Sequence, residues 1–259
     1  MWQSGRGLAA DADGNIYAGS GNGDYDGVQN FGESILKLSP SLKLLDWYTP
    51  SNWEYLSDFD FDMGSLGPIL VPGTDWILGG DKFGNVYLID KKNMGHLDSA
   101  SAPSPRIALA SLYGGIFNTA VWTSEAGTVF YAVDQGDSLK AFKIVDGQLS
   151  ASPFSKTDIT ADIPYQGMTI TANGGVAGTG ILWMTAGDHD AAGIPGTLHA
   201  FDALDLTREL WNSGLKKDRD DLGAFAKFVS PTVVNGRVYV PSFSNQLAIY
   251  GLLAEGASH

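Results

Sequence analysis

Three acidic clusters contain the residues whose types and spacing could support chemistry in this 259-residue chain. The first runs from Ser57 to Asp62, where a two-residue alternation would project Asp58, Asp60 and Asp62 to one side and two phenylalanines to the other. Crowded carboxylates raise one another's pKa, which suits a general acid, and their hard oxygens bind Ca²⁺ or Mg²⁺. We therefore predict Asp60 and Asp62 as catalytic residues and Asp58 and Asp60 as metal ligands. The alternative is that these side chains cap a turn.

The second cluster is Gly187-Asp188-His189-Asp190, the one place in the sequence where a histidine is flanked by carboxylates. A neighbouring carboxylate fixes the tautomer of an imidazole and raises its basicity. We predict Asp188 and His189 as further catalytic residues and Asp190 as a third metal ligand. Two aspartates in a glycine-bounded turn are also typical of ordinary loop chemistry.

The third cluster is the loop from Gly21 to Gly27, which Glu33 closes. It resembles a calcium loop but lacks the full ligand spacing, so a solvated turn is favoured and Glu33 is kept as a ligand-binding candidate. Trp53 and Tyr55 precede the first cluster and could stack on a ligand.

Asp81, Arg219 and Lys227 complete the ligand-binding candidates. Asp81 lies in a short loop between two predicted strands. Arg219 and Lys227 could offset an acidic surface or grip an anionic group, and surface salt bridges are the alternative.

Composition limits the partners. The 16 basic and 29 acidic residues give a net charge of -13, which repels nucleic acid and anionic membranes, whereas cations and neutral sugars fit an acidic surface. No segment approaches the ~18 apolar residues of a membrane span. The absence of Cys excludes disulfides, thiolate nucleophiles and Cys-ligated metals.

These candidates lie on a repeated pattern of two alternating apolar runs joined by a polar turn. Equivalent apolar positions recur every 53 to 60 residues at Tyr17, Ile77, Phe130, Trp183 and Tyr239. A further apolar segment precedes each pair, often through Asp-Gly or Asn-Gly, which are strong hairpin signals.

We therefore predict one all-β domain over 1–259, a β-propeller of about five four-stranded blades. The blades cover roughly 5–50, 63–111, 114–155, 167–213 and 228–253. The last repeat lacks an outer strand, which predicts an incomplete blade and self-association through it. One short helix is predicted within Leu215 to Phe228.

Three segments carry a resemblance to a known family: Gly196 to Ala203 followed by Arg208-Glu209-Leu210-Trp211, Asn235 to Val240, and Gly14 to Gly23. The chain resembles PQQ-like, quinoprotein-type propellers of an uncharacterised bacterial branch, as an N-terminally truncated form. The resemblance implies a secreted or periplasmic parent. PQQ itself is not expected, because quinoprotein dehydrogenases of the superfamily are larger and place adjacent cysteines over the cofactor. A divalent cation such as calcium is the cofactor left open.

In such a propeller the loops between second and third strands and those between blades share one surface, the top face. Our first hypothesis is a binding or scaffold module with an acidic top-face pocket for a polar ligand such as a carbohydrate. The alternatives are a glycoside hydrolase with paired carboxylates and a metal-assisted ester or phosphoester hydrolase. Quinone-dependent oxidation ranks last.

Overall fold

The computed structural model describes residues 1–101, 106–108, 115–161, 165–187 and 193–253. Within them five mainly antiparallel sheets follow one another along the chain. The first sheet contains β1 (Ala9–Ala10), β2 (Ile16–Gly19), β3 (Ile35–Leu38) and β4 (Leu44–Thr49). A short helix, α1 (Trp53–Asp58), and a 3-10 helix (Met63–Ser65) then lead to the second sheet.

The second sheet contains β5 (Ile69–Leu70), β6 (Trp76–Gly80), β7 (Asn85–Asp90) and β9 (Arg106–Ala108). Between its last two strands, β8 (His96–Leu97) returns to the first sheet and pairs parallel to β4. Because β8 contacts β4, the outer edge of the first blade is covered by a segment that follows the inner strands of the second.

The third sheet contains β10 (Thr119–Ser124), β11 (Gly127–Ala132) and β12 (Asp137–Val145), with β13 (Gln148–Leu149) and β14 (Ser155–Ala161) both pairing with β12. The fourth contains β15 (Met168–Thr171), β16 (Ile181–Gly187), β17 (Gly196–Asp202) and β18 (Asp205–Asn212). A single helical turn, α2 (Lys217–Asp220), precedes the fifth sheet of β19 (Thr232–Val234), β20 (Arg237–Ser242) and β21 (Gln246–Gly251).

Tight turns with positive φ join strands at two Asn-Gly or Asp-Gly dipeptides, of which Asn235-Gly236 was predicted from the sequence. Asn235 and Gly236, between β19 and β20, have φ values of 50° and 71°. Asp146 and Gly147, between β12 and β13, have φ values of 50° and 72°. A two-residue hairpin turn with positive φ at both positions matches the right-handed twist of the strands it joins, which is why these dipeptides fix the register.

Four apolar cores lie between successive sheets. Side chains alternate between the faces of a strand, so Phe130 packs toward the second sheet and its neighbour Tyr131 toward the fourth. The first and second sheets share a core around Tyr17 and Tyr87, and the fourth and fifth share one around Leu198. Sheets stacked face to face in chain order define a β-propeller, as predicted.

The last blade is incomplete, also as predicted, because the fifth sheet has three strands in the described chain. One of its faces packs on the fourth sheet through Val238 and Val240. On the other face Val234, Leu247 and Ile249 are about half exposed. Among the described residues, this face of the sheet is therefore an exposed apolar surface.

One local prediction was wrong. The segment from Ser57 to Asp62 is not an alternating strand, because α1 extends to Asp58 and Asp60 adopts a left-handed φ of 60°. The short helix predicted within Leu215 to Phe228 is confirmed, as α2 (Lys217–Asp220). Neither helix has the length and apolarity needed to cross a membrane, among the residues that the structure describes.

Candidate functional site

A pocket of about 420 Å³ opens on the top face, lined by residues that include Trp2, Gly21, Asn22, Asp60, Asp62 and Lys82. It forms where the β2–β3 loop meets the connection between the first two blades. Asn22 donates its backbone N–H to Asp62 Oδ1 over 2.9 Å and its side-chain amide to the carbonyl of Ser57 over 2.8 Å. These contacts join the two kinds of loop that we expected on one face.

Lys82 is the centre of the pocket. Its Nζ lies 2.9 Å from Asp60 Oδ2, forms a second ion pair with Asp62, and sits 4.5 Å from the centroid of the Trp2 ring. Burial alone would lower the pKa of Lys82, but hydrogen bonds to Asp62 and Asp60, together with their charges, raise it. The ammonium is therefore held charged between two carboxylates and an aromatic face.

The two aspartates differ in exposure. The side chain of Asp60 is 75% exposed and that of Asp62 is 5% exposed. Asp62 immediately precedes the 3-10 helix and accepts a hydrogen bond from Asn22 of the β2–β3 loop. Asp60 lies just after α1 and has a left-handed backbone conformation. Asp60 can therefore reach a ligand directly, and Asp62 mainly positions Lys82.

Glu33 is fully buried beneath the pocket and does not line it. Its Oε2 accepts a hydrogen bond from the backbone N–H of Met63 over 2.6 Å, and its Oε1 is buried with no hydrogen-bond partner in the part of the chain that the structure describes. Burial raises the pKa of Glu33 to about 7, the bond from Met63 opposes this rise, and the charges of Asp62 and Asp81 add to it. Glu33 therefore links two loops and titrates near neutrality.

Four aromatic rings form a patch next to the pocket: Tyr55, Phe59, Phe61 and Phe83. Tyr55 lies 4.8 Å from Phe59 and 5.9 Å from Phe61 between ring centroids, and Phe61 lies 5.2 Å from Phe83. Tyr55, Phe59 and Phe83 are all exposed. Trp53, the other predicted stacking residue, packs against Tyr25 at 5.7 Å, so α1 sends its two aromatic side chains to different clusters.

Asp81 is buried and occupied within its turn. It accepts hydrogen bonds from the backbone N–H and side-chain amide of Asn85 and from the Tyr87 hydroxyl at 2.8 Å. Asp11 makes the same three contacts with Asn15 and Tyr17. The shared pattern Asp-x-x-Gly-Asn-x-Tyr therefore builds the same hairpin turn in two blades, and it accounts for Asp81 as well as for Asp11.

Arg219 and Lys227 do not join this pocket. Arg219 donates two hydrogen bonds of 2.6 Å to Asp220. Lys227 Nζ lies 5.3 Å from the centroid of the Tyr165 ring and 5.5 Å from that of Phe228, near the propeller axis. The predicted cations therefore belong to two other places on the molecule.

Asp188, His189 and Asp190 lie outside the described residues. Among the residues that are described, no three His, Asp or Glu side chains are grouped so that they could hold a metal ion. Of the proposed metal ligands, Asp60 bonds Lys82, and Asp58 is exposed at the end of α1.

Sequence reasoning missed Trp2, Asn22 and Lys82. Lys82 lies inside the Asp-x-x-Gly-Asn-x-Tyr turn that begins at Asp81. Comparison with the Asp11 turn could have shown that Asp81 has a structural role, which leaves Lys82 as the residue of this turn that is free for a site. Trp2 precedes the first strand and belongs to no repeat, so its place at the pocket has no counterpart in the pattern.

Solved structures similar to this chain include β-propellers. The Swd1 propeller domain from Myceliophteria thermophila aligns with a TM-score of 0.53 and 11% identity, covering 92% of this chain and 66% of that one. The Dos1 propeller aligns with a TM-score of 0.52 and 10% identity, covering 92% and 52%. BamB from Moraxella catarrhalis aligns with a TM-score of 0.43 and 12% identity, covering 95% and 71%.

The chain spans about half of the Dos1 chain and just under two thirds of the Swd1 chain. No family model and no curated protein matches it. At these identities the likeness to Swd1 and Dos1 establishes the β-propeller fold alone.

Proposed function

We propose that this chain is a non-catalytic binding module whose top-face pocket takes a polar ligand such as a carbohydrate. The propeller fold supports a binding or scaffold role in general. The observation that carries the finer proposal is the pocket wall, where carboxylate, amide and ammonium groups stand beside an indole ring. Sugar hydroxyls donate hydrogen bonds to carboxylates and accept them from amide and ammonium groups, so the pocket offers partners for a hydroxyl both as donor and as acceptor.

The aromatic patch supports the same ligand class. Tyr55, Phe59 and Phe83 expose apolar ring surface beside Asp60 and Lys82. A pyranose has an apolar C–H face as well as polar edges. Large aromatic side chains with an exposed ring face can pack against the apolar face of the sugar. Exposed apolar patches bordered by polar groups are typical of binding sites.

The proposal is tested by calorimetric titration with a panel of neutral mono- and oligosaccharides. We expect saturable binding by the wild type and a loss of about tenfold or more in affinity for Asp60→Asn and Trp2→Phe, since each removes a contact of about 1 to 2 kcal/mol. Asp218→Asn, an exposed position on α2, is the matched control. Absence of binding across the panel would exclude the carbohydrate assignment.

A hydrolase is the second candidate, favoured by Glu33. A carboxyl whose pKa is raised to about 7 beside the charge of Asp62 has the properties of a general acid. Against this, Glu33 does not line the pocket, and Lys82 occupies the oxygens of Asp60 and Asp62 that would otherwise face a glycosidic bond.

Chromogenic substrates separate these activities. Turnover of p-nitrophenyl glycosides that Glu33→Gln abolishes and EDTA leaves intact would replace the binding module by a carboxylate hydrolase. Turnover of p-nitrophenyl esters or phosphoesters that EDTA abolishes would favour a site with a divalent cation such as calcium, including Asp58, Asp60 and Asp190. We expect neither.

The PQQ-like repeat assignment belongs to the proposal as well. It is supported by Trp211, which ends the resembling segment on β18 and packs against Tyr250 of the next blade at 5.4 Å between ring centroids. A secreted or periplasmic parent is proposed from this resemblance only. PQQ is not proposed as a ligand.

We also propose self-association through the uncovered face of the fifth sheet. Val234, Leu247 and Ile249 occupy a face that the next sheet covers in the inner blades. Sedimentation equilibrium should show association that Ile249→Lys weakens and that Leu215→Lys, a more exposed apolar position outside the sheet, leaves unchanged. A monomer at all concentrations would contradict it.

A further inference from the structure

Arg6 lies at the centre of the propeller. It belongs to the segment before β1, and its Nη1 donates a hydrogen bond to the backbone carbonyl of Thr119, the first residue of β10 in the third blade. A Cβ on Gly67, before the first strand of the second blade, would lie 3.0 Å from Cδ of Arg6. Arg6 therefore contacts the inner edges of three blades, which is possible only near the axis.

The charge of Arg6 has no carboxylate partner in the part of the chain that the structure describes. Burial of the guanidinium lowers the pKa of Arg6 to about 10. An arginine carries five N–H donors, and the described contacts use one of them, toward Thr119. Arg6 is partly buried, and charges withdrawn from water in proteins are normally paired, so this cation is short of an acceptor.

Close to Arg6 and Thr119 along the chain, three polar atoms are buried without a hydrogen-bond partner among the described residues: Ser4 Oγ, Asn118 Nδ2 and Thr119 Oγ1. Ser4 is two residues from Arg6, Thr119 carries the carbonyl that Arg6 binds, and Asn118 adjoins it. Asn118 Oδ1 lies 3.5 Å from Ser230 Oγ, which leaves its N–H groups unused. All three atoms can donate, and buried donors in native proteins are nearly always satisfied.

The surroundings of this cluster favour a negative ligand. Trp2, Phe117, Tyr165 and Phe228 form a ring of aromatic contacts with centroids 5.0 to 6.2 Å apart. Apolar walls strengthen charge interactions by excluding water. Lys227 lies over Tyr165 and Phe228 and adds a second positive charge at this ring.

We propose that Arg6, Ser4, Asn118 and Thr119 form an axial site for an oxyanion, a carboxylate or phosphate group. The unused guanidinium N–H groups bind two of its oxygens, and the amide and hydroxyl groups bind the remaining lone pairs. This site shares none of its four residues with the lining of the pocket at Lys82, and it does not depend on the pocket's ligand.

The test uses protein exchanged into buffer free of phosphate and carboxylates, titrated calorimetrically with inorganic phosphate or with acetate at constant ionic strength. We expect saturable binding of at least one of them. Phosphate alone identifies a phosphate group, and acetate alone identifies a carboxylate. Failure of both at millimolar concentration overturns the proposal.

Variants locate the binding. Arg6→Met and Asn118→Asp should each weaken it by about 100-fold, the first by removing the charge and the second by placing a carboxylate in the site. Lys227→Met should weaken it about threefold, as a peripheral charge does. Arg208→Met, an exposed arginine on β18 that pairs with Asp202, is the matched control. Wild-type affinity in either Arg6→Met or Asn118→Asp, once circular dichroism shows native fold, would overturn the assignment.

Discussion

Lys82 and Arg6 are two partly buried cations with different partners. Lys82 has two carboxylates within ion-pair distance, and its pKa is raised. Arg6 has a backbone carbonyl and no carboxylate among the described residues, and its pKa falls to about 10. Among the described residues, the Lys82 site therefore contains carboxylates that pair with its cation, and the Arg6 site does not.

The difference indicates what each site can bind. In the Lys82 site the ammonium is already paired with carboxylates, so a neutral ligand can enter by exchanging hydrogen bonds without adding or removing charge. The Arg6 site gains most from a ligand that supplies negative charge. A chain with a net charge of -13 can therefore hold an anion at its axis, because local geometry outweighs the overall charge at short distance.

Lys82→Met should have the largest effect on stability. It leaves Asp62, whose side chain is 5% exposed, buried without its ion pair, which costs about 3 to 5 kcal/mol. Arg6→Met in buffer free of oxyanions should change the free energy of unfolding by about 1 kcal/mol or less, because the lost hydrogen bond is offset by relief of an unpaired charge. Urea denaturation of both variants measures the contrast. Equal losses in the free energy of unfolding would contradict the proposed difference between the Lys82 and Arg6 sites.

The next effect is a pH dependence from Glu33. Its folded-state pKa of about 7 lies above the ordinary 4.5, so folding favours the protonated form. The stabilisation is complete below about pH 4.5 and is lost as the pH rises through 7, by about 3 kcal/mol in total. Glu33→Gln should remove this slope and be the more stable protein at pH 8. Urea denaturation across this pH range is the measurement, and parallel curves for the two proteins would refute it.

Much of the fold could be predicted because its causes are local. Alternating apolar runs place side chains on both faces of each blade, and dipeptides such as Asn235-Gly236 specify their own turns. α1 was missed because six residues are too few for a 3.6-residue period to show, and Asp-Phe-Asp-Phe-Asp mimics a strand. Because of this error, Asp58, Asp60 and Asp62 were wrongly expected to project from the same side of one strand.

The sites were harder to predict because they depend on distant contacts. Asp60 and Asp62 were found by composition, but Lys82, which binds both, is at least twenty residues away. Arg6 meets Thr119 across 113 positions. Such pairs can be predicted only when the positions of the blades relative to one another are known. A repeat pattern gives the order of the blades along the chain, but it does not show which side chains meet at the axis.

Asp62→Asn should cost less than Lys82→Met, about 2 kcal/mol, because Asn retains an acceptor for the Asn22 N–H and Lys82 keeps Asp60. The free energy of unfolding from urea titration at pH 8 gives the value. A loss as large as that of Lys82→Met would mean that Asp60 contributes nothing to holding the ammonium, and the exposed carboxylate would then have no part in the ion pair.

Asp60→Asn should have the smallest effect on stability, within about 0.5 kcal/mol, because its carboxylate is 75% exposed and exposed ion pairs are weak. Its effect on ligand affinity should nevertheless exceed tenfold, since Asp60 is the member of the pair that projects from the pocket wall. Calorimetry with the best-binding saccharide, beside urea denaturation, checks both. A variant that loses stability and keeps affinity would reverse the roles of Asp60 and Asp62, and with them the distinction between a ligand-facing carboxylate and one that only positions Lys82.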